Sequence, residues 1–181
     1  MREDPGVSGS EEDQGMAAPD IVMYEEEFNQ IKQIISKLRV DANGKVVFLV
    51  DKNGQQIAAH GDIENLDTTS LASLTAGNVA ATDGLARLIG EKEFSILFHE
   101  GEKDNIHISI VAQRVILVVI FDERSSLGLV RLRVKKASVE LNEVFARIMS
   151  KVEREKAAAG AAFESPFAEI TDEDIDSLFS E

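Results

Sequence analysis

Residues 116–121 read Ile-Leu-Val-Val-Ile-Phe without a polar break. A strand that buries one face alternates apolar and polar side chains, whereas one that is apolar at every position needs cover on both faces. The run therefore predicts the central strand of a sheet with helices on both sides. Neighbouring segments fit the same sheet. Ile106, Ile108 and Ile110 alternate with His107 and Ser109, the period of a half-buried strand, within an expected strand over 103–112. Another strand is expected over 93–100 and the central one over 115–122, with Gly101 and the Gln113-Arg114 pair marking tight turns. Upstream, Val46 to Val50 predict a strand over 45–51, and Asn53-Gly54 turns it into an antiparallel return over 55–60.

Three helices complete the pattern. Phe28, Ile31, Ile34, Ile35 and Leu38 recur at three- and four-residue steps, so 24–39 is a helix with one apolar stripe. Glu25, Glu26 and Glu27 suit the positive end of its dipole, and Asn43-Gly44 ends it. Asp67 is placed to cap a second helix that runs to about Ile89 and stops at Gly90. Ser125 or Ser126 opens a third that reaches Ala159, with Leu127, Val130, Val134, Val139, Leu141, Val144, Phe145 and Ile148 as its apolar positions. The order α-β-β-α-β-β-β-α with short connections forces hairpins. The expected fold class is α+β, a five-stranded antiparallel sheet with helices on both faces.

Charge divides the chain. Residues 1–20 carry six acids against one base, and residues 163–181 carry seven acids and no base, so most of the net charge of −14 lies in the two ends. The expected organisation is an acidic, disordered extension over 1–20, one domain over 21–159, and an acidic tail over 160–181 with a short amphipathic helix. Acidic ends argue against nucleic-acid phosphates as partners. No run is long and apolar enough to insert in a membrane. A chain without cysteine has no disulfide, thiolate metal site or cysteine nucleophile, which suits a cytoplasmic protein.

Enzyme chemistry finds no footing. His60, His99 and His107 are the only histidines, and none stands at metal-ligand spacing or beside a nucleophile motif. Asp51-Lys52-Asn53-Gly54 lacks the acids of a calcium loop. No glycine-rich loop ends in Gly-Lys-Ser/Thr to cradle a nucleoside triphosphate. No catalytic residue, metal or cofactor is expected.

Two features point to partners instead. On the second helix, Leu71, Leu74, Asn78, Ala81, Leu85, Leu88 and Ile89 share one face, read as the face toward the sheet. About 100° around the axis runs a small-residue stripe of Ser73, Gly77, Ala80 and Gly84. Two glycines inside a helix cost about 1 kcal/mol each against alanine, and close approach of another backbone is the functional reason to accept that cost. Ser73, Ala76, Gly77, Ala80, Gly84 and the adjoining Arg87 are therefore the candidate partner-binding positions there. In the tail, Phe163, Phe167, Ile170, Ile175, Leu178 and Phe179 stand among acids. Thr171 and Asp174 have the form of a capping box, after which Ile175, Leu178 and Phe179 share a helical face, as in a segment that orders in a groove.

The strings VMYEEEF (22–28), KVVFLVDKNGQ (45–55), DTTSLASLTAGNVAA (67–81), SLGLVRLRVKKA (126–137) and SPFAEI (165–170), with the residues to 181, resemble bacterial members of the roadblock family. That resemblance implies the roadblock fold and a homodimer. It implies binding to a small Ras-like GTPase of the MglA type, and stimulation of GTP hydrolysis by reshaping the GTPase rather than by an arginine finger. It also implies an effect of the C-terminal region on nucleotide exchange, other polarity proteins as partners, and concentration at a pole of motile cells. Arg87, Arg114, Arg124, Arg131 and Arg133 are the arginines weighed for a finger, with Arg87 nearest the stripe. The competing expectation is a passive scaffold that recruits a GTPase or polarity protein without changing its turnover.

Overall fold

The computed structural model describes residues 24–162. Its elements run α1 (Glu25–Asp41), β1 (Val46–Asp51), β2 (Gln56–Gly61), α2 (Thr68–Leu88), β3 (Ile96–His99), β4 (Asn105–Val111), β5 (Val115–Phe121) and α3 (Leu127–Ala162). All five strands form one antiparallel sheet in the order β2-β1-β5-β4-β3. The wholly apolar segment lies at the centre, and every residue of β5 is buried.

Strand alternation divides the core into two layers. Val47 and Leu49 of β1 and Leu117, Val119 and Phe121 of β5 meet Ile31, Ile35 and Leu38 of α1 and Val130, Val134, Leu141, Phe145 and Ile148 of α3. Phe48, Val50, Ile116, Val118, Ile120 and Ile108 point the other way, under Ala72, Ala76 and Val79 of α2. A fully buried aliphatic side chain contributes about 1.5–3 kcal/mol. Truncating Leu141, fully buried between α3 and the sheet, should cost about 2–5 kcal/mol. Glu27 is buried beneath Lys151, and this ion pair ties α1 to α3. The hydrogen bond from Lys151 holds the Glu27 carboxyl below the usual carboxylate range.

Local chemistry sets the ends of the elements. In the β1–β2 turn, the buried Asp51 carboxylate accepts from the backbone N–H groups of Asn53 and Gln55 at 2.9 and 2.8 Å. The acid thus fixes a turn rather than holding a cation. Gly101 is required because a Cβ there would stand 2.3 Å from the Asp104 carbonyl oxygen. Three expectations shift. β3 is four residues long rather than eight, pairing only along Ile96–His99 with β4. α3 runs on to Ala162, and Val139 on it is exposed rather than packed. His107, expected as an ordinary strand residue, is fully buried, with neither ring nitrogen hydrogen-bonded among the described residues. Burial, with nearby Arg131, pushes its pKa down to about 4.

Candidate partner-binding face

Asp67 sets the start of α2. One carboxylate oxygen accepts from the Ser70 N–H at 3.0 Å and the other from the Ser70 hydroxyl at 2.6 Å. These bonds hold the Asp67 carboxyl below its ordinary range. At the far end, Gly90 adopts a φ of 81° and the helix stops as expected.

The rotation of the helix between these ends corrects the sequence reading. Ala72, Thr75, Ala76, Val79 and Ala86 are the side chains buried against the sheet. Leu74, Leu85, Leu88 and Ile89, expected in the core, are 72%, 59%, 83% and 69% exposed. The reason is steric. The strand residues beneath α2 are large, among them Phe48, Ile116 and Ile120, so a close-lying helix must present small side chains to them. Ala76 therefore leaves the set of partner-facing candidates. It is 8% exposed and lies under the β1–β2 turn, 3.7 Å from where a Gly54 Cβ would be.

The other stripe positions stay on the surface. Ser73, Gly77, Ala80, Gly84 and Arg87 are all exposed. Among the described residues, and apart from the helix's own backbone, a Cβ built on Gly77 or Gly84 would meet no atom within 4 Å. Ser73 does double duty, since its Cα abuts Gly54 at 3.2 Å from a Cβ built there. The leucine face points away from the sheet and the small stripe lies beside it, so together they form one continuous surface. It carries little charge, because Asp83 and Arg87 are the only charged residues in the 21 of α2. Among the described residues, β3 is an edge strand paired with β4 alone, at the end of the sheet away from α2, which lies over β1 and β2. Leu97, Ile106 and Ile110, on the same face of the sheet as α2, are only partly buried. A neutral, apolar helix face, on a sheet whose far edge is open and partly uncovered on the same side, suits protein contact.

The Roadblock/LC7 domain family model matches residues 31–121. The chain belongs to that family. Among solved structures it is similar to Myxococcus xanthus MglB, with 64% identity over 70% of this chain and 96% of that one and a TM-score of 0.67. It is also similar to the gliding protein MglB of Thermus thermophilus, at 29% identity over 71% of this chain and 97% of that one, TM-score 0.66. A third likeness is an MglB structure with a tetrameric arrangement, at 27% identity over 73% of this chain and 99% of that one, TM-score 0.68. No curated protein matches the sequence.

For a roadblock domain, the remaining site expectations distribute as follows. Of the arginines weighed, only Arg87 lies on α2. The Arg124 guanidinium is held by Asp122 at 2.9 Å, and Arg133 is half-buried on α3. Phe163, Phe167, Ile170, Ile175, Leu178 and Phe179 lie outside the described residues, as does the N-terminal extension. Leu74, Leu85, Leu88 and Ile89 are the surface positions that sequence reasoning misplaced. The scarcity of charge along α2 was the signal available for them. Among the described residues, no group of three or more acids and histidines is arranged to hold a metal, and no helix is long and apolar enough to cross a membrane.

Proposed function

We propose that this chain is a homodimeric regulator of a small Ras-like GTPase of the MglA type. In this reading it stimulates GTP hydrolysis without an arginine finger, and its C-terminal segment influences nucleotide exchange, in the polarity and gliding of motile bacterial cells. The observation that carries the reading is the exposed, nearly uncharged face of α2. The likeness to MglB proteins, one of them described as a gliding protein, supports the cellular setting. The open edge of β3 supports the homodimer, in which β3 and α2 would meet their copies across a two-fold axis.

A face of leucines and glycines supplies no acid, base or cation to a reaction. It acts only by binding one conformation of its partner more tightly than another. One leucine buried solely against the hydrolysis-competent conformation contributes about 1.5–3 kcal/mol, a shift of roughly 10- to 100-fold in population. Reshaping is thus within reach of the side chains present. The tail residues Phe163, Phe167, Ile170, Ile175, Leu178 and Phe179 would add a second anchor on the same GTPase, raising local concentration rather than forming a tight site of their own.

A GTP hydrolysis time course of the cognate GTPase, with and without this protein, decides the matter. Stimulation is expected. Binding with no change in turnover would leave only recruitment, and the regulator reading would fall. Light scattering at micromolar concentration is expected to give a dimer mass, and a monomer would remove the proposed symmetry.

A further inference from the structure

A cavity of about 300 Å³ opens where the β4–β5 turn meets α3. Val115, Phe145, Ala146, Ile148 and Met149 form its apolar walls, and Arg114 is the one charged residue on them. The turn is held in shape, since Ala112 and Gln113 both lie at positive φ, 50° and 62°, and Asn142 accepts the Ala112 N–H at 2.8 Å. Met149 is 46% exposed at the rim. An apolar recess with a fixed wall calls for an apolar occupant.

Residues 163–181 have that chemistry, with six large apolar residues. Chain length selects which of them reach. From Met149, α3 continues to Ala162, which is about 20 Å at 1.5 Å per residue. Coming back that far takes about six extended residues. Phe163 and Phe167 fall short on this measure, whereas Ile170, Ile175, Leu178 and Phe179 reach. Residues 1–23 are the competing occupant, but they contain no aromatic residue.

We propose that this cavity seats the C-terminal segment of the same chain, with Ile175, Leu178 and Phe179 entering it. Seated there, the segment is withheld from any other partner, so whatever binds it must first displace it. The proposal concerns the protein alone and stands apart from the GTPase reading.

The native chain has no cysteine, so Ala146→Cys places a single thiol on the wall of the cavity, at a position exposed in the described residues. In the full chain this thiol is expected to react with a soluble disulfide reagent about tenfold more slowly than in the same chain carrying Ile175→Asp, Leu178→Asp and Phe179→Asp. Equal rates overturn the proposal. So does release of the thiol by Ile21→Asp, Val22→Asp and Met23→Asp instead, which would make the N-terminal segment the occupant. Circular dichroism checks that each variant keeps its helices. A second pair, Ala146→Cys with Leu178→Cys, is expected to close a disulfide within one chain. A product of twice the mass would put another copy's segment in the cavity and overturn the assignment.

Discussion

Replacing both exposed glycines of α2, Gly77→Ala with Gly84→Ala, should strengthen the fold and weaken the partner contact together. Both sit inside a 21-residue helix, and among the described residues, apart from the helix's own backbone, neither added methyl would meet an atom within 4 Å. The folded chain alone therefore bears no steric cost. Each substitution gains the difference in helix propensity, about 0.8–1 kcal/mol. With independent sites the pair gains roughly 1.6–2 kcal/mol. For a domain of this size, that is a rise in Tm of about 5–10 °C. If the glycines exist to let another backbone approach, two methyls hold it off, and stimulation of the GTPase should fall about tenfold or more. Thermal unfolding by circular dichroism over a dilution series, with hydrolysis assays on the same samples, reads both effects. A more stable chain with undiminished stimulation would show that nothing comes close to the stripe. A loss of stability that does not depend on concentration would place the glycines against their own domain. A loss that grows on dilution would assign the stripe to the contact between copies.

Other outcomes follow from the same geometry. Ala80→Arg, on an exposed position of α2, should leave stability within about 0.5 kcal/mol but abolish capture of the GTPase in a pull-down; intact capture would remove Ala80 from the interface. Arg87→Ala should retain most of the stimulation, whereas a finger in trans would lose about 10³–10⁵ in rate. Deleting residues 163–181 should leave the fold intact while weakening GTPase binding and altering nucleotide exchange; unchanged affinity, hydrolysis and exchange would make the tail inert toward the GTPase. His107 is neutral in the fold and takes its proton at about 4, while in the unfolded chain it does so near 6.5. The unfolded state is therefore favoured progressively as pH falls from 6.5 to 4, by up to roughly 3 kcal/mol, and His107→Leu should flatten that part of a denaturant-midpoint profile.

The central strand and the order of elements were legible because each rests on one local rule. Ile116 to Phe121 lacks any polar position, and its shortness and β-branched residues favour a doubly covered strand over a buried helix. Asp67 and Gly90 bracket α2 because capping and positive φ depend on the residue alone. The rotation of α2 depends on something else. Two of its faces are apolar, one built on Leu74, Leu85 and Leu88 and the other on Ala72, Ala76 and Val79, and transfer energy alone favours burying the leucines. The sheet decides otherwise, because Phe48, Ile116 and Ile120 already fill the space that leucines would need. Packing is a property of the pair of surfaces, and half of that pair lies elsewhere in the chain. What α2 did disclose is the number of surfaces it must cover. With Asp83 and Arg87 as its only charges, it has no side made for water. One apolar side goes to the sheet. The other faces outward, beside glycines that nothing among the described residues outside the helix's own backbone approaches, and that leftover side is why the helix reads as a contact surface.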